Sequence, residues 1–260
     1  MTLNRRSFVL AGLAAAVVSP ALLGCSAVAE PEPPKTKLYV MGVIHSNHLR
    51  SQRYSLEVLE AAIRKAAPDI IISEIPPDRI DKAISSFRAA GRVDEPRTQV
   101  FPEYTDVVFP LSRELGFDIV GAAGWTRKIA DDRSAALMRI QDDPARAEEW
   151  AEHRAALREF LRKLNGRGDD PRFIHTPEFD RLVKASRQPY ARYFDKDLGA
   201  GGWTEINQAH TSLINRQLDK ISGQGLTALI TFGNAHKYKI LESVEARSDI
   251  ELIDTRALFE

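Results

Sequence analysis

The chain has 260 residues, in which 36 lysines and arginines are balanced by 36 aspartates and glutamates. This length suits one domain with a substantial core, and the neutral balance, without a basic stripe interleaved with aromatic residues, excludes the electrostatic footprint of a nucleic-acid-binding protein. The single cysteine, Cys25, excludes an internal disulfide and a thiolate cluster, so any metal site must use histidine and carboxylate ligands.

Residues 1–24 have the layout of an export signal. Arg5 and Arg6 precede a stretch rich in Ala, Val and Leu, which predicts recognition by the twin-arginine export machinery. A membrane-spanning helix needs about twenty apolar residues, whereas this stretch is shorter and is interrupted by Pro20. It ends in a Leu-Leu-Gly-Cys string similar to the lipobox of bacterial lipoproteins. We therefore expect cleavage before Cys25 and lipidation of its thiol, giving a lipoprotein of the bacterial envelope that faces the periplasm or the outer surface.

Residues 25–36 are rich in proline and predict a stiff tether between the lipid and a domain at residues 37–260. In that domain, apolar runs of strand length alternate with amphipathic helical patterns, the first helix beginning after Ser55 as N-cap and another covering about 104–115. This alternation predicts an α/β fold with a mostly parallel sheet flanked by helices. The predicted strands are 37–44, 69–75, 117–121, 226–232 and 250–253.

The middle of the chain differs, because residues 131–223 are polar and helical in pattern. We interpret this segment as a helical insertion that caps the active edge of the sheet. The alternative is a solvated helical subdomain that supplies bulk alone.

Two predicted strands end in the same way. Each apolar run breaks at a glycine and is followed three residues later by a histidine, His45 or His236, in a loop at the carboxyl end of a strand, which is where α/β sheets bind ligands. Glu74 lies at the end of the second predicted strand, just before Pro76 and Pro77, and a carboxylate there needs an ion pair, water or a metal. Two imidazoles and one carboxylate suit Zn, Mn, Fe or Co with open positions for water or substrate. The alternative for Glu74 is a salt bridge to Arg79.

The order of these motifs resembles the TIKI/TraB superfamily, which also takes in erythromycin-esterase-like enzymes and ChaN-type haem-binding lipoproteins. The resemblance covers the sheet core at both ends and leaves about 131–203 unmatched. The matching strings are Gly42-Val43-Ile44-His45, Glu74-Ile75-Pro76, Asn215-Arg216 and Gly233-Asn234-Ala235-His236.

The resemblance implies a metal-dependent hydrolase that acts on a peptide or a small-molecule ester. In that reading His45, His236 and Glu74 bind a divalent metal, His45 or Glu74 acts in acid–base catalysis, and Arg216 stabilises the oxyanion or holds a substrate carboxylate. The same residues permit a metal-free esterase, a haem- or iron-binding lipoprotein of the ChaN type, and a non-catalytic envelope module.

Four further side chains are candidates for the pocket or for contacts behind the metal ligands. His48 follows His45 in the same loop, and Trp125 follows the third strand, where it could line the pocket or fill the core. Glu205 and His210 precede Arg216 on one predicted helix. Glu205 and Arg216 are separated by about three helical turns and so share a face.

Overall fold

Five parallel strands form the central sheet of the computed structural model, which describes residues 32–260. Their order across the sheet is β3-β2-β4-β1-β5, which confirms the predicted α/β fold with a parallel sheet. Each predicted strand lies within two residues of the observed one at both ends. The strands are β1 (Thr36–Val43), β2 (Ile70–Ser73), β3 (Asp118–Gly121), β4 (Thr227–Gly233) and β5 (Ile250–Leu252).

Helices cover both faces of this sheet. Ser55 caps the first of them as predicted, because its side chain accepts a hydrogen bond from the Val58 N–H at 3.4 Å. Pro77 begins the helix that follows β2, since its fixed φ suits the first helical position. The α-helices of residues 32–260 are α1 (Leu56–Ala66), α2 (Pro77–Ala90), α3 (Phe109–Leu115), α4 (Arg127–Asp142), α5 (Ala147–Leu164), α6 (Pro171–Ile174), α7 (Pro177–Leu198), α8 (Trp203–Ile221) and α9 (Lys237–Val244).

The predicted insertion consists of helices joined by short loops, with α4 to α8 running from residue 127 to residue 221. Helix α7 packs along α5 and also contacts α4 and α8. Within residues 32–260, no helix combines the length and the apolar character needed to cross a membrane. The predicted export signal, Cys25 and the first part of the tether lie outside the described residues, and Pro33–Glu260 forms one compact unit.

Successive side chains of the inner strands are buried on opposite faces of the sheet. Leu229 of β4 packs with the core beneath α1 and α2, whereas its neighbour Ile230 packs with Ile214 and Leu218 of α8. Burial on both faces explains why these strands appear in the sequence as continuous apolar runs rather than as an alternating pattern.

The sheet order brings three of the predicted site residues to one edge. Strand β4 lies between β1 and β2, with Val43 paired to Gly233 and Ser73 paired to Thr231. His45, Glu74 and His236 each follow one of these three adjacent strands. Their loops therefore leave the same edge side by side.

Candidate active site at the carboxyl edge of the sheet

A buried carboxylate holds the ring of His45. The residue has φ +51°, in the left-handed region that non-glycine residues rarely adopt. Its Nδ1 lies 2.6 Å from Oε1 of Glu103, which is fully buried, so Nδ1 carries the proton and donates it to this carboxylate. Its Nε2 then has a free lone pair in the neutral ring and lies 3.7 Å from Oε2 of Glu74. Burial lowers the pKa of His45, but the hydrogen bond to Glu103 and the charges of Glu74 and Glu103 leave it raised overall.

An amide holds the ring of His236 in the corresponding way. Asn207 donates its Nδ2–H to the Trp203 carbonyl at 2.6 Å, which leaves its Oδ1 to accept from Nδ1 of His236 at 2.8 Å. The free Nε2 of His236 lies 3.8 Å from Oε1 of Glu74. Burial, followed in size by the effect of the neighbouring His210, lowers the pKa of His236 well below its usual value. The ring is therefore neutral and able to act as a metal ligand at physiological pH.

Glu74 lies between the two imidazoles, one facing each carboxylate oxygen. Its side chain is only 8% exposed, and its Oε2 also accepts a hydrogen bond from the Gly233 N–H at 2.6 Å. Its backbone N–H donates to the hydroxyl of Tyr104, which donates to the Thr231 carbonyl, each at 2.7 Å. Burial raises the pKa of Glu74, although the neighbouring His45 and the Gly233 N–H act in the opposite direction.

The alternative role considered for Glu74, a salt bridge to Arg79, is wrong. Arg79 lies 3.2 Å from Asp78 and 3.9 Å from Glu95 instead. The polar contacts of the Glu74 carboxylate are thus with the site histidines and with the backbone at the end of β4.

The glycine of the second G-x-x-H motif is required for close approach. A Cβ at Gly233 would lie 2.5 Å from Nε2 of His45 and 3.3 Å from Oε2 of Glu74. Any larger residue would displace the His45 ring. Glycine is therefore needed here for space and not for an unusual backbone angle.

His210 joins the site from α8. Glu74, His210 and His236 offer ligand atoms that all lie within 4.8 Å of one another, which is close enough to bind a metal. The sequence placed His210 only behind the ligands and named His45 as a ligand, so this group differs from the predicted one by one histidine. Burial lowers the pKa of His210 to about 4, so its ring is neutral as well.

The hydrogen bonds of His210 bear on its ability to bind a metal. Nδ1 accepts a hydrogen bond from the Gly124 N–H at 2.8 Å, so the proton of the neutral ring is on Nε2. Within the described part of the chain, this buried Nε2 has no hydrogen-bond partner. Binding a metal through Nε2 would move the proton to Nδ1, break the Gly124 bond and leave two buried donors facing each other, at a cost of about 2 to 6 kcal/mol. A structural divalent ion binds with roughly 10 kcal/mol or more, so this cost does not prevent coordination, and the donor set fits a metal.

A cavity of about 270 Å³ opens beside His45 and Glu74. Trp125 lines it, half-buried, with its ring 6.2 Å from that of His210. Of the two roles considered for Trp125, lining the pocket is therefore the one observed. Arg97, Phe101 and Arg133 also line this cavity.

Three predicted residues lie elsewhere. Arg216 is exposed and lies six residues beyond His210 on α8, about 240° around the helix, and residues 32–260 give it no ion pair or hydrogen bond with the site. Glu205 is also exposed. His48 is buried, with Nε2 accepting from the Ile44 N–H at 3.1 Å and Nδ1 donating to the Tyr54 carbonyl at 2.7 Å. Both its nitrogens are therefore used in stabilising the turn that carries His45.

Sequence reasoning missed Glu103, Tyr104 and Asn207. The helix predicted for about 104–115 begins as a π-helix, Glu103–Val108, a rare conformation that is often found at functional sites. An acidic residue in a first helical turn is ordinary, so the sequence offered no signal for Glu103.

Comparison of the chain with models of protein families, with curated proteins and with solved structures finds no match. The resemblance to the TIKI/TraB superfamily therefore stays a prediction that depends on the short motifs alone.

Proposed function

We propose that this chain is a hydrolase of peptide or ester bonds, in which Glu74, His210 and His236 hold a divalent metal and His45 is the general base. The observation that carries the proposal is the position of buried Glu74 between two imidazoles, at 3.7 Å from His45 and 3.8 Å from His236. A buried carboxylate beside the neutral rings of His210 and His236 is stabilised by a bound cation. Mn, Co, Zn and Fe are all compatible with these ligands.

Burial and exposure distinguish the side chains that would bind the metal from the one that would act as general base. His210 is fully buried, the His236 side chain is 13% exposed, and both rings are neutral, as ligands must be. Asn207 orients His236 in the way that ligating histidines are commonly held. When bound, the metal would supply Lewis-acid activation of water and of the scissile carbonyl. His45 is 33% exposed and borders the cavity, where its free Nε2 can take a proton from water while Glu103 stabilises the resulting charge.

The first test is elemental analysis of the purified protein beside three variants, His45→Ala, His210→Ala and His236→Ala. We expect near-stoichiometric metal in the parent and in His45→Ala, and loss of metal from the other two. His153→Ala, in the helical insertion outside the site, serves as the histidine control, and circular dichroism checks that each variant is folded. Loss of metal from His45→Ala would instead make His45 a ligand, and no metal in the parent after reconstitution would contradict the metallohydrolase.

The second candidate is a metal-free esterase. The 2.6 Å contact between His45 and Glu103 favours it, because a carboxylate-oriented imidazole can activate water without a metal. In that case ester hydrolysis would persist in metal-free parent protein and in His210→Ala and would be lost in His45→Ala.

We also propose that the protein is exported by the twin-arginine route and anchored in the bacterial envelope through lipidated Cys25. The support is the arrangement of residues 1–25 in the sequence. Metabolic labelling with a fatty acid should mark the parent and not Cys25→Ser, and substitution of the paired arginines with lysine should retain the protein in the cytoplasm.

A further inference from the structure

Two arginines of the helical insertion lie beside the candidate active site. Arg133 of α4 lines the cavity, with its guanidinium carbon 5.8 Å from the ring of Trp125. Arg187 of α7 lies over Trp203 at 4.7 Å, and Trp203 in turn stacks on His236 at 5.0 Å. Each guanidinium group thus lies against an aromatic ring that borders the site.

These arginines have no acidic partner in the described part of the chain. Among residues 32–260, neither Arg133 nor Arg187 has a carboxylate within 4.0 Å, whereas Arg146 in the same insertion contacts two. The nearby Asp195 is already engaged, because its carboxylate accepts hydrogen bonds from the backbone and side chain at the start of α8.

Buried polar atoms between the two arginines are also unpartnered. Tyr190 is 5% exposed and lies beneath the guanidinium of Arg133 at 5.8 Å. In the part of the chain that the structure describes, Nε of Arg187 has no hydrogen-bond partner, and the Tyr190 hydroxyl has none apart from the adjacent Arg133 side chain. Burial, with a contribution from the charge of Arg133, lowers the pKa of Arg187. Leaving buried donors and a desolvated cation unpaired costs free energy that an anion would recover.

We propose that Arg133, Arg187 and Tyr190 form an oxyanion-binding subsite, so that the substrate carries a carboxylate or phosphate group next to the bond that is cleaved. That the bound anion is part of a substrate rests on the proposed hydrolase. Anion binding itself does not depend on catalysis. A planar guanidinium suits either oxyanion because it can donate two parallel hydrogen bonds. The apolar walls at Phe101 and Trp125 suit an uncharged remainder of the substrate. The two arginines would take the role that the resemblance implied for the exposed Arg216.

Anion binding is tested first, independently of hydrolysis. Succinate and inorganic phosphate are titrated into the full-length chain in a non-ionic detergent, and binding is followed by calorimetry and by the fluorescence of the neighbouring tryptophans. Loss of one charge-assisted hydrogen-bonding partner should weaken binding about 10-fold or more, so we expect this in Arg133→Met and in Arg187→Met. The tighter of the two probes identifies the oxyanion.

Matched controls remove the same charge from the same helices. Arg139 on α4 and Arg181 on α7 are both exposed, and their methionine variants should bind the probes like the parent. Arg133 is only partly buried, so Arg133→Met tests the proposal even if Arg187→Met fails to fold. The anion site is overturned if the parent binds neither probe, or if the control variants weaken binding as much as Arg133→Met does.

Hydrolysis is tested second, with a neutral ester and the same ester carrying a terminal carboxylate or phosphate. We expect the parent to prefer a charged ester, and Arg133→Met to lose about 10-fold of that preference in kcat/KM while Arg139→Met keeps it. Anion binding that depends on Arg133 without hydrolysis of any ester would sustain the anion site and contradict the proposed hydrolase. Hydrolysis with no charge preference and no anion binding would support the proposed hydrolase and contradict the anion site.

Discussion

Oε1 of Glu103 lies 2.6 Å from Nδ1 of His45, so a fully buried carboxylate fixes the one site histidine that borders the cavity. The two residues are 58 positions apart in the chain, and the carboxylate is brought to the ring by a π-helix. The other oxygen of Glu103 is buried and, in the described residues, has no hydrogen-bond partner. The single strong contact of this carboxylate is therefore with His45.

Glu103→Gln removes this charge with little change of shape. We expect hydrolytic activity to fall about 10- to 100-fold, the range typical for residues that orient a functional imidazole, while metal content is unchanged. Steady-state kinetics and elemental analysis measure the two effects. Glu95→Gln is the matched control, because Glu95 is an equally buried glutamate whose carboxylate bonds to Thr98 outside the site. Full activity in Glu103→Gln would contradict the positioning role.

Gly233→Ala adds one methyl group at the centre of the site. Its Cβ would lie 2.5 Å from Nε2 of His45, so the ring must move. A displacement of about 1 Å at a reacting group can lower the rate about 100-fold, and we expect a loss of that order with the fold retained. Kinetics and circular dichroism check this. Wild-type kinetics in a folded variant would show that the position of His45 does not limit the reaction.

Removal of the metal should lower thermal stability as well as activity. A ligand at 100 times its dissociation constant stabilises the folded state by about 2.7 kcal/mol. For a domain of this size, we therefore expect a strong chelator to lower Tm by roughly 5 to 10 °C, and addition of the metal to restore both Tm and activity. His236→Ala should show no such shift. A chelator that leaves the Tm and the activity of the parent unchanged would favour the metal-free esterase.

His175 should make the protein less stable in mild acid. Burial lowers its pKa from 6.5 to about 3, and the ring accepts from the Gly42 N–H at 2.9 Å while donating to the Pro171 carbonyl at 2.6 Å. Because the unfolded state binds the proton more tightly, stability conferred by the neutral ring is present above pH 6.5 and is lost as the pH falls towards 3. Between pH 7.5 and pH 5 the loss is about 2 kcal/mol.

Urea unfolding at pH 7.5 and pH 5 measures this effect. His175→Gln retains an acceptor for the Gly42 N–H but does not titrate, so its free energy of unfolding should fall less between the two pH values. An equal fall in parent and variant would assign the pH dependence to other groups.

The buried ion pair between Lys237 and Asp180 leads to a prediction about stability. Nζ of Lys237, which is 2% exposed, lies 2.6 Å from both carboxylate oxygens of Asp180. Asp180→Asn leaves a buried ammonium without its counter-ion and should cost about 3 to 5 kcal/mol. The double variant with Lys237→Met removes both charges and should recover most of that loss. Denaturant unfolding of both variants is the measurement, and equal stability of the single and double variants would contradict the pairing.

The sequence by itself determined the strands and the edge where the site lies. The inner strands are buried on both faces, so they appear as apolar runs, and the residue after each run must lie at the carboxyl edge of a parallel sheet. His45, Glu74 and His236 were found in this way, and the structure brings them together.

The tertiary structure alone decided which other side chains complete the site. Glu103, His210 and Arg133 reach it through helix packing, and their positions depend on a π-helix, on the rotation of α8 and on the placement of α4. The same packing leaves Arg216 exposed, although it lies on the helix that carries His210. Local sequence patterns record which face of a helix is apolar, but the residue that a given face meets is fixed only by the packed arrangement of the whole domain.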